Sequence, residues 1–407
     1  MSEAASNRYA ETPIIRLPGV AQLLTVVLLG ISSFSILLPL SPTWAIARGA
    51  GEAAAGGVTT VLMAFTVLAQ LAMSKAVRRF GWGSVFALGL AALGAPAMLQ
   101  ALVPNYASIL VSSAVRGIGF GILTVGGATV MAMLVPARRR GAAVGLYGLA
   151  VAAPQLIMIS SAPILAARLG DVAVTVMATA PLLGLLVIPS LHRSIPVPSS
   201  ERPSGSRHET REQGSTLRII APTLLVLFTA TCVGGALMTF ANQISSSATT
   251  AAGLLLCLTG LAAVARWSMG VLSDRRDALK LTGVLCTTLV IGMALLSAAL
   301  FVAPSDAATL LLYFASMLLG VAYGGLQSTS LVCAFKLGGP SRLTQVSVLW
   351  NVSFDVGTGV GALAVGSLAS AAGFSFAFAL LAVLSTVAAI TAVIWLRDRG
   401  TQGAIAR

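Results

Sequence analysis

The chain has 407 residues, of which 57% are hydrophobic and only 9% charged. A soluble domain needs about a quarter of its residues charged to face water, so this composition excludes a water-exposed globule and leaves lipid as the outer solvent. The formal charge of +13 does not mark a nucleic-acid binder, because the cations sit in short segments between long apolar runs and form no basic, aromatic-interleaved face.

Apolar runs of about 20 residues, the length that crosses a hydrocarbon core ~30 Å thick, predict helices near 19–41, 54–74, 83–103, 107–135, 141–166 and 172–191. Arg8 and Arg16 precede the first run, which is too long for the core of a signal peptide and reads as an uncleaved first helix. The segment 192–217 is rich in Ser, Pro, Arg and Glu and reads as a flexible cytoplasmic linker. Six further helices follow near 218–240, 249–271, 279–302, 307–335, 343–368 and 374–396. The expected domains are a six-helix bundle over 1–191, the linker over 192–217, and a second bundle over 218–407. The fold class is therefore an all-α polytopic membrane protein with two six-helix bundles related by a pseudo-two-fold axis.

The positive-inside rule checks this layout. With the N-terminus cytoplasmic, all but four of the 25 cations fall in inside segments. The exceptions are Arg48 and Arg168 in outside segments, and Arg116 and Arg266 within helices. The expected location is the inner (plasma) membrane, multi-pass, with both termini in the cytoplasm. His192 and His208 lie in the linker, away from any intramembrane role. Cys232, Cys257, Cys286 and Cys333 lack disulfide or metal spacing and read as packing residues.

The halves carry a weak internal repeat. Arg116-Gly117-Ile118-Gly119-Phe120-Gly121 matches Leu319-Gly320-Val321-Ala322-Tyr323-Gly324 at an offset of 203, and SKAVRRFG from Ser74 corresponds to GVLSDRRD from Gly270. Duplicated halves place a substrate site near the bilayer midplane and allow alternating access by rocking.

At these residues the chain resembles the major facilitator superfamily over essentially its whole length, closest in character to twelve-helix drug and metabolite efflux permeases. That family's link between helices 2 and 3 carries a glycine, an Asp-Arg pair four residues later, then further basic residues. Gly270, Asp274, Arg275 and Arg276 keep this pattern. The first half departs from it, with Ser74 at the glycine position and Arg78 at the acidic one, before Arg79. The resemblance implies a cytoplasmic gate built on these six positions: Gly270, Asp274, Arg275, Arg276, Arg78 and Arg79. Arg116 and its glycine-rich turn are similar to the family's helix-4 arginine motif. The run from Gly141 through Ala153-Pro154 is similar to the glycine-proline motif of drug exporters, with Ala153 replacing a glycine. The glycine-proline likeness points towards efflux.

Asp355 is the one carboxylate deep within a predicted helix. It lies 13 residues beyond Arg342, roughly 20 Å along the axis, near the middle of the core. An ionised carboxylate there costs about 2.5–3.5 kcal/mol or more, so it faces a cavity or a partner. It is a candidate for proton coupling or substrate contact, or a structural aspartate paired with an arginine. Arg116 is equally deep and stays charged. It is a candidate to contact an anionic substrate, to tune the proton affinity of a nearby carboxylate, or to bond one helix to another. Gln155, Gln327 and Asn351 offer hydrogen bonds to a substrate or to neighbouring helices. Arg266, nearer the cytoplasmic face, reads as snorkelling towards the headgroups. Such sparse polarity suits an apolar or amphipathic substrate.

No Ser-His-Asp set, HExxH, P-loop or metal cluster stands in the sequence, so neither an enzyme nor an ATP-driven pump is expected. No cofactor is expected beyond a proton gradient as energy source. The expected partners are a small-molecule substrate and the lipid bilayer, with no nucleic acid, and the expected state is a monomer. The function these features suggest is proton-coupled efflux of a small hydrophobic or amphipathic compound. The alternatives are an importer of a small organic anion, with Arg116 as its contact, and a non-transporting receptor or scaffold on the same fold.

Overall fold

Apolar runs without water must satisfy their backbone internally, and helices do this within one segment. The computed structural model describes residues 13–103, 105–136, 139–196, 206–302, 304–339 and 342–405, nearly all of them helical. Helix α1 is Val20–Ala47, with Pro39 and Pro42 near its end. Glu52–Leu102 is a 51-residue run bent at Gly81 (φ 75°, ψ 163°) into α2 (52–80) and α3 (82–102). That conformation strains any residue with a Cβ, so glycine marks the corner. Helix α4, Tyr106–Leu134, is capped by the Asn105 side chain, which accepts from the Ser108 amide.

Helix α5 starts as Arg140–Pro154, widens into a π-type turn over Gln155–Ile159, and continues as Ser160–Leu169. Pro154 has no N–H to donate, so the ladder loosens where it stands. Helix α6 is a broken crossing, Asp171–Ser194, interrupted at Pro181 and again at Pro189. Then come α7 (Ser206–Phe240), α8 (Ala248–Arg275), α9 (Ala278–Phe301) and α10 (Asp306–Gly338). Leu343–Ile405 bends at Gly373 (φ 81°, ψ 163°) into α11 (343–372) and α12 (374–405).

Among the described residues, ten helical runs are long and apolar enough to cross a membrane. The two that contain Gly81 and Gly373 each hold two crossings, which gives the twelve that hydropathy predicts. The helix surfaces are apolar outside as well as inside: Leu71, Leu88, Leu149, Trp267, Leu310 and Phe314 are all exposed. A multi-pass membrane protein needs that surface.

One expectation changes. The stretch 192–217 was expected to be a flexible linker, yet α6 runs to Ser194 and α7 is already helical at Ser206. His208-Glu209-Thr210-Arg211-Glu212-Gln213 is polar but contains good helix formers, so the helix propagates beyond the apolar part. Residues 197–205 lie outside the described residues, as do Arg8 and Arg138.

Contacts group the chain into two compact units: Met1–Leu37 with Ala64–Met158 and Arg168–Arg202, and Leu38–Met63 with Ile159–Ala167 and Pro203–Arg407. The grouping passes through α1, α2 and α5 and does not cut the chain at a single point.

Each unit by itself shows the internal repeat. Gly170, between α5 and α6, has φ 83° and ψ 162°, nearly the conformation of Gly373 a full 203 residues later. A Cβ on Gly121 would lie 2.5 Å from the Thr66 carbonyl oxygen, and one on Gly324 would strike the Ala262 carbonyl. The Tyr147 ring covers Gly127, while Trp350, at the corresponding place, donates Nε1–H to Ser330 Oγ at 3.1 Å. These pairs carry the offset of 203 well beyond the segment where the residue types match.

Candidate functional site

In the second unit, small residues set how closely the helices approach. Gly320 and Gly324 put α10 against the backbone of α8 at Leu258 and Ala262. One turn further on, Ser328 Oγ donates to the Arg266 carbonyl at 2.6 Å. The three meetings share one register, 62 residues apart, and together they fix Tyr323 on α10 relative to Arg266 on α8. The Tyr323 ring also lies on Gly234 of α7, where a Cβ would come within 2.5 Å of it. Its ring centroid is 6.3 Å from that of Phe354 on α11.

This packing assembles a polar cluster. The Tyr323 hydroxyl is hydrogen-bonded with the Gln327 side chain and lies within electrostatic reach of both Arg266 and Asp355. Asp355 and Gln327 are each 4% exposed, whereas the Arg266 side chain is exposed. The phenol thus stands in reach of a buried carboxylate on one hand and a guanidinium on the other, with an amide bonded to it. Carboxyl and phenol groups both exchange protons, and the guanidinium supplies a fixed positive charge.

Helix α11 is held against α7 on the same principle. Ser353 Oγ donates to the Leu224 carbonyl at 3.2 Å, and Gly357 and Gly361 abut α7 at Phe228, Thr231 and Cys232. Asn351 donates to the Ser347 carbonyl of its own helix at 2.8 Å, so the cluster takes in Asp355 and Gln327 but shows no bond from Asn351.

The first unit holds Arg116. Its side chain is 0% exposed, and Nη2 donates to the Ser33 carbonyl of α1 at 3.0 Å. Among the described residues, its Nε and Nη1 have no hydrogen-bond partner, and neither do the buried hydroxyls of Ser35 and Ser113. Phe34 and Phe120 stack at 3.7 Å between the same two helices. A buried guanidinium with one bond made out of its possible five is costly. Gln155 is half-buried and opens the wide turn of α5.

The motif residues lie at helix ends. Arg78 and Arg79 are exposed just before the Gly81 corner, with the Arg79 guanidinium 5.5 Å from the Phe80 ring centroid. Arg275 ends α8 and Arg276 follows it, both exposed. Gly270 is loosely packed, its nearest neighbour being Ser328 Oγ at 3.9 Å from a built Cβ. The Asp274 side chain lies outside the described residues.

At the α1–α2 end, side-chain hydrogen bonds join the helices of the second unit, among them Ser370 Oγ donating to Glu52 Oε2 at 3.2 Å. Thr59 and Thr239 hydroxyls are 3.1 Å apart, and Thr60 Oγ1 donates to the Gly359 carbonyl at 2.8 Å. Asn242 Nδ2 donates to Thr43 Oγ1 at 3.0 Å, and Ser160 and Thr259 hydroxyls meet at 3.1 Å. Ser370 links α11 to the start of α2, accepting from the Ala53 amide at 2.9 Å.

Tyr323 was not singled out from sequence, and Arg266 was assigned to the headgroups. The usable signal was that the glycine-rich turn of α10 carries a phenol where α4 has Phe120.

Comparison with known proteins agrees with this architecture. The family model described as Major Facilitator Superfamily matches residues 23–337 and 286–405. The structure of a bacterial homolog of the human lysosomal transporter Spinster, inward-facing and unoccupied, superposes with a TM-score of 0.75 at 16% identity, covering 93% of this chain and 96% of that one. A mutant of the nucleoside transporter NupG gives a TM-score of 0.75 at 12% identity, covering 93% of this chain and 99% of that one. NupG itself gives 0.72 at 11% identity, with coverages of 93% and 98%. No match was found among curated protein sequences. Twelve crossings, a two-fold internal repeat and the match along both halves lead to one conclusion: the chain belongs to the Major Facilitator Superfamily of membrane transporters.

Proposed function

We propose that this transporter is a proton-coupled exporter of a small hydrophobic or amphipathic compound. It works by alternating access in the plasma membrane, with both termini in the cytoplasm. The observation that carries the reading is Asp355, a buried carboxylate at 4% exposure in an otherwise apolar helix. Intramembrane carboxylates are rare and mark ion or substrate pathways. Asp355 takes up and releases the proton. Tyr323, hydrogen-bonded with Gln327, offers a hydroxyl through which it passes, and Arg266 supplies a fixed positive charge within reach of that phenol. The halves 1–191 and 218–407 act as the rocking bodies, and Gly270, Asp274, Arg275 and Arg276, with Arg78 and Arg79, steady one gate state. The test is compound-triggered proton movement in inside-out vesicles. Loss of the signal in Asp355→Asn supports the assignment, and full activity in that variant removes it.

A second reading is import of a small organic anion, favoured by Arg116. Its two unbonded nitrogens lie in a unit whose described membrane helices carry no carboxylate in their middle. Accumulation of a labelled monocarboxylate in intact cells would select this reading over export.

A further inference from the structure

Helices α9 and α12, both within the second unit, leave a groove of about 850 Å³ between them. Its walls are almost wholly apolar, including Gly283, Val284, Val290, Ile390, Val393 and Ile394. It runs along α9 from Asp277 to Val290, roughly 20 Å at 1.5 Å per residue. Half of a hydrocarbon core measures about 15 Å, so the groove has the reach of one leaflet. At its Asp277 end it runs into a second cavity of about 450 Å³, sharing Asp277, Lys280 and Val284 and lined further by Arg275 and Arg276. All three cations there are exposed. Among the described residues lining it the one carboxylate is Asp277, which is engaged at the start of α9, where Oδ1 accepts from the Leu279 amide at 2.9 Å.

We propose that this is a binding site for an anionic glycerophospholipid. Its phosphate sits among Arg275, Arg276 and Lys280, and an acyl chain lies in the α9–α12 groove. The charge pattern selects the occupant. A cationic mouth at the edge of the hydrocarbon region, above a leaflet-length apolar trough, complements a lipid with a negative head. An uncharged substrate or an apolar partner helix has no use for three clustered cations. The site is separate from the Asp355 cluster, and the assignment does not depend on the direction or coupling of transport.

The full-length protein, extracted from bilayers holding equal phosphatidylglycerol and phosphatidylcholine, is analysed by native mass spectrometry. Wild type is expected to retain phosphatidylglycerol preferentially. Lys280→Glu is expected to lower that retention at least about five-fold, the effect of one cation near a lipid surface, and to leave phosphatidylcholine unchanged. Gly283 has no atom within 4 Å of a built Cβ, so Gly283→Leu starts into open groove and is expected to reduce retention of both lipids. Ile390→Trp fills it from α12 and repeats the test independently. Equal retention of both lipids by wild type overturns the proposal. So does unchanged retention in Lys280→Glu, or a dimer abolished by Gly283→Leu, which would make the groove an interface between two copies.

Discussion

Gly324 of α10 rests directly on the carbonyl group of Ala262 in α8, and Gly121 of α4 rests in the same way on Thr66 of α2. The obstacle to a side chain at either place is backbone, which cannot swing aside as a long side chain can. Gly324→Val is expected to destabilise the folded protein by about 1–3 kcal/mol, the usual cost of overpacking, and to displace Tyr323 beside it. Gly145→Ala is the control, because a Cβ there meets nothing within 4 Å. Thermal unfolding in detergent should show a lower transition for the first variant only.

The hydroxyls of Thr59 and Thr239 are 3.1 Å apart, which makes the pair a candidate for an engineered disulfide. The double variant Thr59→Cys/Thr239→Cys should cross-link under mild oxidation. The cross-link should stop transport by holding this end shut, and reductant should restore it. Transport that continues at full rate in fully cross-linked protein would show that these helices need not part.

Arg116 makes one bond, to the Ser33 carbonyl, and leaves two buried nitrogens without a partner. Arg116→Gln keeps a donor for Ser33 and removes the charge. It should fold normally yet transport at least about tenfold more slowly, a loss of ~1.4 kcal/mol. Normal flux at normal expression would limit Arg116 to holding α4 on α1.

Tyr323→Phe removes only a hydroxyl, leaving the ring on Gly234 and against Phe354. Folding stability should change by no more than about 0.5–1.5 kcal/mol, the net worth of one hydrogen bond. Proton release should slow several-fold in stopped-flow measurements with a pH-sensitive dye. An unchanged rate would remove Tyr323 from the proton path.

The twelve crossings were legible because lipid imposes a length and a composition that few other structures satisfy. The two glycine corners were not, since Gly81 and Gly373 are ordinary glycines until φ is known. The start of α7 at Ser206 was missed because hydropathy reports where a helix enters lipid and is blind to a polar helical turn before it. The repeat was visible only where residue types coincide, at 116–121 with 319–324 and in the links that begin at Ser74 and Gly270. The structure extends it to Tyr147 and Trp350, different residues filling the same position.

Asp355 could be found from sequence because a lone carboxylate in an apolar run stands out. Tyr323 could not, because it comes from another helix whose register is set by Gly320, Gly324 and Ser328 against α8. Asn351, four residues from Asp355, reads from sequence as a hydrogen-bond donor to a substrate or a neighbouring helix. Its amide instead bonds the Ser347 carbonyl within α11.

The coupling role of Asp355 is tested most directly by proton flux in inside-out vesicles, comparing wild type with Asp355→Asn against a panel of lipophilic compounds. Compound-triggered proton release from the lumen in wild type, absent in a normally folded Asp355→Asn, is the predicted result. Equal release by both proteins, or none from wild type, would contradict proton-coupled export through this residue.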